Sequence, residues 1–187
     1  MKSLMGHIAV HKATNEQGLI LEEININNTG WKAQFSLDNK IQIDRINLTD
    51  LEIGSIRSDS EILDRLLRDI TATNNETREW AAEMLCNFIE QAGADLQIDE
   101  LQTAINTMVH KIADEDNWNI GQMLGEGIYE FICLQKIDKK DELALVKELA
   151  LLGKDFLYSC LDDEEYLQIK EVNDFINDKS KWWNTSS

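Results

Sequence analysis

Three histidines are the first side chains to consider, because imidazole serves both as a metal ligand and as a general base. His7 and His11 are four residues apart, a spacing that brings two ligands together on a helix but separates them by about 13 Å on a strand. Their neighbours alternate as in a strand, and no carboxylate–histidine spacing of the zinc-protease kind accompanies them. His110 falls in a helical pattern, where a local hydrogen bond is the simpler role. The histidines therefore predict neither a metal site nor a catalytic base.

Nucleophilic chemistry lacks its usual sequence signals as well. No serine stands in a nucleophile-elbow motif, and no cysteine has a histidine next to it in sequence. Cys86, Cys133 and Cys160 are widely spaced in apolar helical stretches, which predicts buried free thiols in a reducing, cytoplasmic compartment rather than disulfides or zinc ligands. We therefore expect no catalytic residue, no metal and no cofactor.

The glycine spacing does not predict a phosphate-binding loop. Gly121, Gly125 and Gly127 give G-x-x-x-G-x-G inside a helical pattern, whereas a dinucleotide loop needs G-x-G-x-x-G directly after a strand. Such glycines in a helix indicate close approach of a neighbouring helix, at some cost in helix propensity.

Carboxylates form two dense runs, Asp114-Glu115-Asp116 and Asp162-Asp163-Glu164-Glu165. Both runs lie where helices are predicted to begin, so capping and interaction with the helix dipole explain them in part. Neither run has the spaced ligands and central glycine of a calcium loop. Since capping needs only one or two carboxylates, the runs also fit an acidic rim that faces a basic partner.

Tryptophans at two places in the sequence are further candidates for contacts with a partner. Trp118 follows the first acidic run, where a large aromatic side chain can either anchor an interface or pack on the next helical hairpin. Trp182 and Trp183, near the C-terminus, could either dock on the fold or form an exposed patch.

The charge balance limits the partners. The 187 residues include 35 Asp and Glu against 18 Lys and Arg, a formal net charge of −17, which disfavours nucleic acid and anionic membranes as partners. No apolar run reaches the roughly 18 residues of a membrane span, and the N-terminal residues lack the apolar core of a signal peptide. The hydrophobic fraction of 43% is that of a folded chain.

The first 56 residues alternate with a period of two, which predicts three or four strands. Ile24 and Ile26 alternate with polar residues, a turn follows at 27–30, and Trp31 to Leu37 alternate again. An antiparallel β-meander with one buried and one solvent-facing side is expected, packed on the helices that follow.

Beyond Gly54 the apolar period becomes 3.6, which predicts a helical region over residues 57–178 and a C-terminal tail over 179–187. Ser58 and Glu61 match a capping box, and Gly93 lies just after a predicted helix end. Six helices are expected, beginning near Ser58, Asn74 or Asn75, Asp95 or Asp99, Asp116, Asp138, and Asp162 or Asp163; the fifth extends to about Phe156.

A shift of 43 positions superimposes the first two predicted helices on the third and fourth, so that Ile62 meets Ile105 and Leu66 meets Val109. Ala82 then meets Gly125, Leu85 meets Ile128 and Phe88 meets Phe131. The segment 75–85 resembles the second helix of a HEAT repeat, in which an acidic or amide turn precedes an arginine, a pair of small residues and a leucine; 114–121 is similar but has Gly121 at the arginine position. The resemblance covers about residues 58–178 and implies a mainly α fold of about three stacked hairpins. A helical bundle with chance similarity remains the alternative.

The profile as a whole resembles that of bacterial toxin-immunity proteins: small, acidic and built on a repeat scaffold, without a catalytic motif. In that class an acidic surface covers the basic cleft of a nuclease toxin. The resemblance implies a non-enzymatic, cytoplasmic protein that binds a cognate basic toxin domain. Its expected contacts are Asp114, Glu115, Asp116 and Trp118, and secondarily Asp162, Asp163, Glu164 and Glu165. The alternatives are a nucleic-acid mimic that inhibits a DNA- or RNA-binding protein, and a HEAT-like accessory protein with a small-molecule pocket.

Overall fold

The computed structural model describes the backbone of residues 4–26 and 30–184 and the side chains of residues 4–25 and 30–179. Of the described residues, 58% are helical, and a five-stranded antiparallel sheet lies at the N-terminal end. The two periods predict this combination, but with three or four strands. The strands are β1 (His7–His11), β2 (Gln17–Ile26), β3 (Gly30–Leu37), β4 (Ile43–Asn47) and β5 (Leu51–Ile56). The helices are α1 (Asp59–Asp69), α2 (Asn75–Ala92), α3 (Ile98–Asp114), α4 (Trp118–Cys133), α5 (Lys139–Leu152), α6 (Tyr158–Leu161) and α7 (Lys170–Asn184).

Internal contacts divide the chain into two compact units, Met1–Phe88 and Ile89–Ser187. We call them the sheet unit and the helical unit. The boundary falls inside α2, so the sheet unit contains β1 to β5, α1 and most of α2.

The sheet has the strand order β4-β3-β2-β1-β5, and all neighbouring pairs are antiparallel. β1 to β4 follow one another in space as they do in sequence. β5 is absent from the sequence prediction, because Gly54 interrupts its alternation just before the helical pattern begins. It pairs with β1, with Leu51 opposite His11 and Ile56 opposite His7.

The link between β4 and β5 requires the sheet to be rolled. Asn47 and Leu51 end and begin strands at opposite edges of the sheet, yet only a 3-10 turn, Leu48–Asp50, joins them. Four Cα–Cα steps span at most about 15 Å, whereas four strand spacings in a flat sheet measure about 19 Å. The sheet therefore coils until its two edges approach each other.

β3 is buried on both faces, which corrects the prediction of one buried and one solvent-facing side. Every residue from Ala33 to Leu37 is buried, including Gln34 and Ser36. Phe35 points into the core enclosed by the rolled sheet, together with Ala9 and Ile20. Ser36 points the other way, towards α1, where its hydroxyl has a polar partner.

That partner is Asp69, the last residue of α1, whose side chain is fully buried. The Ser36 hydroxyl donates to Asp69, and Arg68 Nε donates to the same carboxylate at 2.7 Å. Arg65 reaches Asp38 Oδ1 at 2.5 Å. Burial raises the pKa of the Asp69 carboxyl, and the hydrogen bonds from Ser36 and Arg68 oppose that shift. Hydrogen bonds thus compensate the desolvation of this carboxylate and fix α1 on β3.

The helix signals around α1 and α2 are confirmed. Ser58 and Glu61 form the predicted capping box, and Asn74 Oδ1 accepts the backbone N–H of Thr77 at 2.8 Å. α2 ends at Ala92, directly before Gly93.

Two helix starts in the helical unit differ from the prediction. α3 is preceded by Gln97, whose backbone N–H donates to Glu100 Oε2 at 2.9 Å, and not by Asp95 or Asp99. α4 is capped by Asn117, which accepts from Asn119 N at 3.1 Å, and not by Asp116. The amide oxygen of Asn117 caps α4 as well as a carboxylate would, so the charge run just upstream misplaces that cap.

α5 begins as predicted, with Asp138 accepting from the backbone of Asp141 at 2.9 Å. It ends at Leu152 rather than near Phe156, because Gly153 adopts the left-handed conformation that ends helices (φ 66°). The sixth helix does not begin at Asp162 or Asp163 as predicted: α6 ends before them, a 3-10 turn, Tyr166–Gln168, follows, and Ile169 is extended. α7 then continues to Asn184, through much of the segment expected to be a tail.

Two glycines of α4 permit the close approach that their position suggests. A Cβ at Gly121 would lie 2.4 Å from the Phe156 ring, and one at Gly125 would lie 2.9 Å from a methyl group of Leu157. The aromatic and aliphatic side chains that follow α5 therefore pack directly on the backbone of α4.

The three cysteines stand outside disulfide bonds, as predicted, but of the three only Cys160 is buried. Cys86 is partly buried and Cys133 is exposed, so the prediction of three buried thiols is wrong for these two. Burial raises the pKa of the Cys160 thiol to about 11, which keeps it protonated at neutral pH.

Candidate functional site

The first acidic run forms the turn between α3 and α4, and its members differ in exposure. Asp114 is exposed at the end of α3, and the Asp116 side chain is fully exposed, 3.6 Å from Lys154 Nζ. Trp118, the first residue of α4, keeps 51% of its surface exposed. These three side chains present two carboxylates and an indole together at one helix junction.

Glu115 belongs to the same run but is only 4% exposed. Its carboxylate accepts the backbone N–H of Asn117 at 3.1 Å and lies 3.3 Å from Lys111 Nζ. Lys154 Nζ donates to the carbonyl of Glu115 at 2.9 Å, which ties the turn to the segment after α5. Glu115 therefore shapes the turn, and little of it is available to a partner.

The second run, Asp162 to Glu165, forms the turn after α6. All four side chains are exposed, and Asp163 Oδ1 accepts the backbone N–H of Glu165 at 2.9 Å. Glu165 also pairs with Lys139 at 2.8 Å. The negative charge that is left without a salt bridge in this turn is concentrated on Asp162, Asp163 and Glu164.

A buried tyrosine supports the second turn. Tyr166 donates its hydroxyl hydrogen to Glu142 Oε1 at 3.0 Å, and Lys139 Nζ lies 5.7 Å from the centre of the Tyr166 ring. Burial, followed by the hydrogen bond to Glu142, raises the pKa of the Tyr166 hydroxyl, so the ring stays neutral. These contacts fix the turn against the first turn of α5.

The structure does not bring the two acidic turns together. Trp118 begins α4, whereas Cys160, just before the second run, packs beside Gly125, seven residues further along the same helix. At 1.5 Å per residue, that separation is about 10 Å along the axis. The two turns are separate acidic patches on one unit.

A third acidic feature was not predicted. Residues of α3, α4 and α5 enclose a groove of about 330 Å³, which we call the α3–α5 groove. Phe131, Ile137, Ala144 and Leu145 supply its apolar lining, and Gln102, Asn106, Asp141 and Glu148 its polar one. Asp141 and Glu148 lie outside the two dense carboxylate runs, so those runs give no signal for the groove.

The sheet unit has a cavity of about 350 Å³ with a different character. Three arginines, Arg57, Arg65 and Arg68, line it together with the carboxylates of Asp38, Glu61 and Asp64. Arg65 and Arg68 already donate to Ser36, Leu37 and the acidic side chains around them. These guanidinium groups are therefore occupied by the protein itself.

The histidines have local partners. His110 Nδ1 lies 2.6 Å from the carbonyl oxygen of Asn106, one turn earlier in α3, which confirms the predicted local hydrogen bond. His7 and His11 contact Leu4 and Thr14 in the same way. Over residues 4–26 and 30–184, no group of three or more His, Cys, Asp and Glu side chains is arranged to hold a metal ion.

The negative charge is unevenly distributed between the units. Residues 89–187 contain 21 Asp and Glu, nine Lys and no Arg, a net charge of −12; residues 1–88 have 14 acidic and nine basic side chains, a net charge of −5. The two acidic turns and the α3–α5 groove all belong to the more acidic half.

Comparisons with protein-family models, curated sequences and solved structures found no match for this chain. Among the helices that the structure describes, none combines the length and the apolar character needed to cross a bilayer. The side chains of Trp182 and Trp183 and the turn at 27–29 lie outside the described residues.

Proposed function

We propose that this chain is a non-enzymatic, cytoplasmic binding protein that neutralises a basic protein, and specifically an immunity protein that blocks a nuclease-type toxin. The observation that carries the proposal is the net charge of −12 on residues 89–187, which contain no arginine. A nuclease must attract phosphates and therefore exposes positive charge around its cleft. An acidic protein surface is complementary to that cleft and accelerates association with it.

The first acidic turn is the proposed primary contact. Asp114 and Asp116 would pair with basic side chains of the toxin, while Trp118 would supply the buried aromatic anchor that dominates most interfaces. Asp162, Asp163, Glu164 and Glu165 form the secondary contact. Glu115 has a different role, because its buried carboxylate contacts Asn117 and Lys111 and so stabilises the conformation of the turn.

We also propose that the helices are a HEAT-like repeat that serves as the scaffold for these contacts. Its support is that the amide caps of α2 and α4, Asn74 and Asn117, stand 43 residues apart, which equals the shift of the sequence repeat. Phe88 and Phe131, which the shift superimposes, are both buried.

Affinity capture from the native host, at low and then at moderate salt, tests the proposal. We expect one basic protein to be retained in stoichiometric amount and its nuclease activity to be inhibited by the purified chain. The retained protein should lose affinity by about tenfold or more when Asp114, Asp116 and Trp118 are replaced by Asn, Asn and Ala.

The matched control neutralises two carboxylates of the sheet unit, Glu52→Gln and Asp59→Asn, and should leave affinity within about twofold. Retention of several unrelated DNA-binding proteins would favour nucleic-acid mimicry instead. An undiminished nuclease activity of the retained protein would contradict the immunity proposal.

A further inference from the structure

The α3–α5 groove has an apolar floor at the surface of the most acidic part of the molecule. Phe131 is fully buried beneath it, and Ala144 and Leu145 of α5 form one of its walls. Leu151, seven residues after Ala144 and therefore on the same side of α5, is 66% exposed. The apolar strip thus extends along α5 beyond the groove itself.

Two carboxylates border this strip. Asp141 and Glu148 are seven residues apart on α5, so they lie on the same side of the helix about 10 Å apart along its axis. Asp141 uses its backbone N–H, but not its carboxylate, in capping α5. Two lysines of α5 that lie near these carboxylates in sequence pair with other acidic side chains: Lys139 with Glu142 and Glu165, and Lys147 with Glu171.

The opposite wall is formed by amides. Gln102 and Asn106 lie one turn apart on α3, and Gln102 Nε2 donates to Asn106 Oδ1 at a distance of 3.4 Å. Both side chains are exposed. They offer hydrogen bonds without charge, so the groove has one acidic wall, one neutral polar wall and an apolar floor.

From this arrangement we infer that the α3–α5 groove binds a basic amphipathic helix of the partner protein. Apolar side chains of that helix would cover Ile137, Leu145 and Leu151, and its Lys or Arg side chains would pair with Asp141 and Glu148. An amphipathic helix in an apolar groove is a recurrent mode of recognition. The inference rests on the proposed function, because it names the segment through which the basic partner binds.

The charges favour this occupant over the alternatives. A nucleic acid or an anionic lipid surface would meet Asp141 and Glu148 with like charge. A second copy of the helical unit carries the same net charge of −12 and is repelled in the same way. Only a partner that is basic as well as apolar satisfies both the rim and the floor.

A synthetic 18-residue peptide of Leu and Lys, with Leu at helical spacing, is the probe for the groove. Its control is a peptide of the same composition in which Leu is spaced so that no apolar face forms. We expect the amphipathic peptide to bind the intact chain about tenfold more tightly than the control peptide, because only it can cover the floor. Equal binding of the two peptides, or no binding of the amphipathic one, would overturn the inference.

Matched charge variants locate the binding. Asp141→Asn with Glu148→Gln removes two charges from the groove, and Asp162→Asn with Glu164→Gln removes two from the second turn. The groove pair should weaken binding of the amphipathic peptide about tenfold, and the turn pair no more than about twofold. Leu151→Ser, at an exposed site that does not endanger folding, should weaken it about threefold.

If both pairs weaken peptide binding equally, the general field and not the groove is responsible, and the inference fails. The proposed function is tested separately, by the capture of a basic protein from the native host. If that protein is lost on substitution of Asp114, Asp116 and Trp118 but retained by the groove variants, the immunity proposal stands and the groove inference falls. If no basic protein is captured, the proposed function fails whatever the peptide does.

Discussion

The two units use their basic side chains in opposite ways. All five arginines lie in the sheet unit, and each is engaged within it. Arg45 stacks on Trp80 at 4.9 Å, Arg57 pairs with Glu61, and Arg78 donates to two backbone carbonyls after α1. Arg65 and Arg68 donate to the end of β3 and to the acidic side chains beside it.

The helical unit has lysines only, and they pair mainly with exposed carboxylates, such as Lys170 with Asp174 and Lys179 with Asp155. A planar guanidinium can bind several acceptors at once, whereas an ammonium acts as a single charge. The comparison teaches that charge is structural in the sheet unit but remains largely on the surface in the helical unit, where it can act on a partner.

The largest effect is expected at Arg68. Its replacement by Ala leaves the Asp69 carboxylate buried with only the Ser36 hydroxyl, and loss of one member of a buried pair costs about 3–5 kcal/mol. Urea unfolding followed by the fluorescence of Trp31 and Trp80 measures it. Arg57→Ala, at a half-exposed pair with Glu61, is the control and should cost about 0.5 kcal/mol or less. Equal losses would show that the buried cluster is not what stabilises the sheet unit.

An intermediate effect is expected at Gly121 in the helical unit, where packing rather than charge decides. Gly121→Ala places a methyl group against the Phe156 ring and should cost about 1–3 kcal/mol, partly offset by the better helix propensity of alanine. Gly125→Ala meets the flexible end of Leu157 and should cost less. Thermal unfolding of the chain compares the two, and Phe156→Leu should restore part of the stability lost at Gly121. The opposite order of the two glycine variants would refute the packing argument.

The smallest effect is expected from added salt on the stabilities of the two units. The helical unit, with a net charge of −12, should be stabilised by added NaCl, because the Debye length falls from about 30 Å at 0.01 M to about 3 Å at 1 M and screens its self-repulsion. The sheet unit should respond less, since its ion pairs are weakened by the same screening. A variant that keeps Trp118 as its one tryptophan, with Phe at positions 31, 80, 182 and 183, follows the helical unit, and a variant that keeps Trp31 and Trp80 alone follows the sheet unit. A larger gain in the sheet unit would contradict the comparison.

Much of the fold could be predicted, because local chemistry sets it. The capping box at Ser58, the turn chemistry around β1 to β4 and the helical period beyond Gly54 each act within a few residues. What could not be predicted depends on distant contacts. Ser36 alternates with apolar residues as on a solvent-facing side, yet it is buried because Asp69, more than 30 residues later, provides an acceptor for its hydroxyl. β5 could not be predicted from its own residues, because it forms by pairing with β1, which lies far away in the sequence.

The candidate site shows the same division. The acidic runs are evident in the sequence, but the burial of Glu115, which depends on Lys111 and Asn117, is not. The charge runs could not predict the groove, because Asp141 and Glu148 belong to neither run. Only the packing of three helices places apolar side chains beside these two carboxylates. Charge density along the chain identified turns, whereas the groove arises from packing.

The closure of the sheet by β5 has a consequence for synthesis. β1 ends at His11 and β5 at Ile56, so the last strand leaves the ribosome about 2–9 s after the first, at 5–20 residues per second. During that interval β1 has an unpaired edge and the core around Phe35 is open on one side. A nascent chain that stops before Leu51 can form four strands but cannot enclose that core, and the sheet unit becomes resistant to misassembly only once β5 has been made.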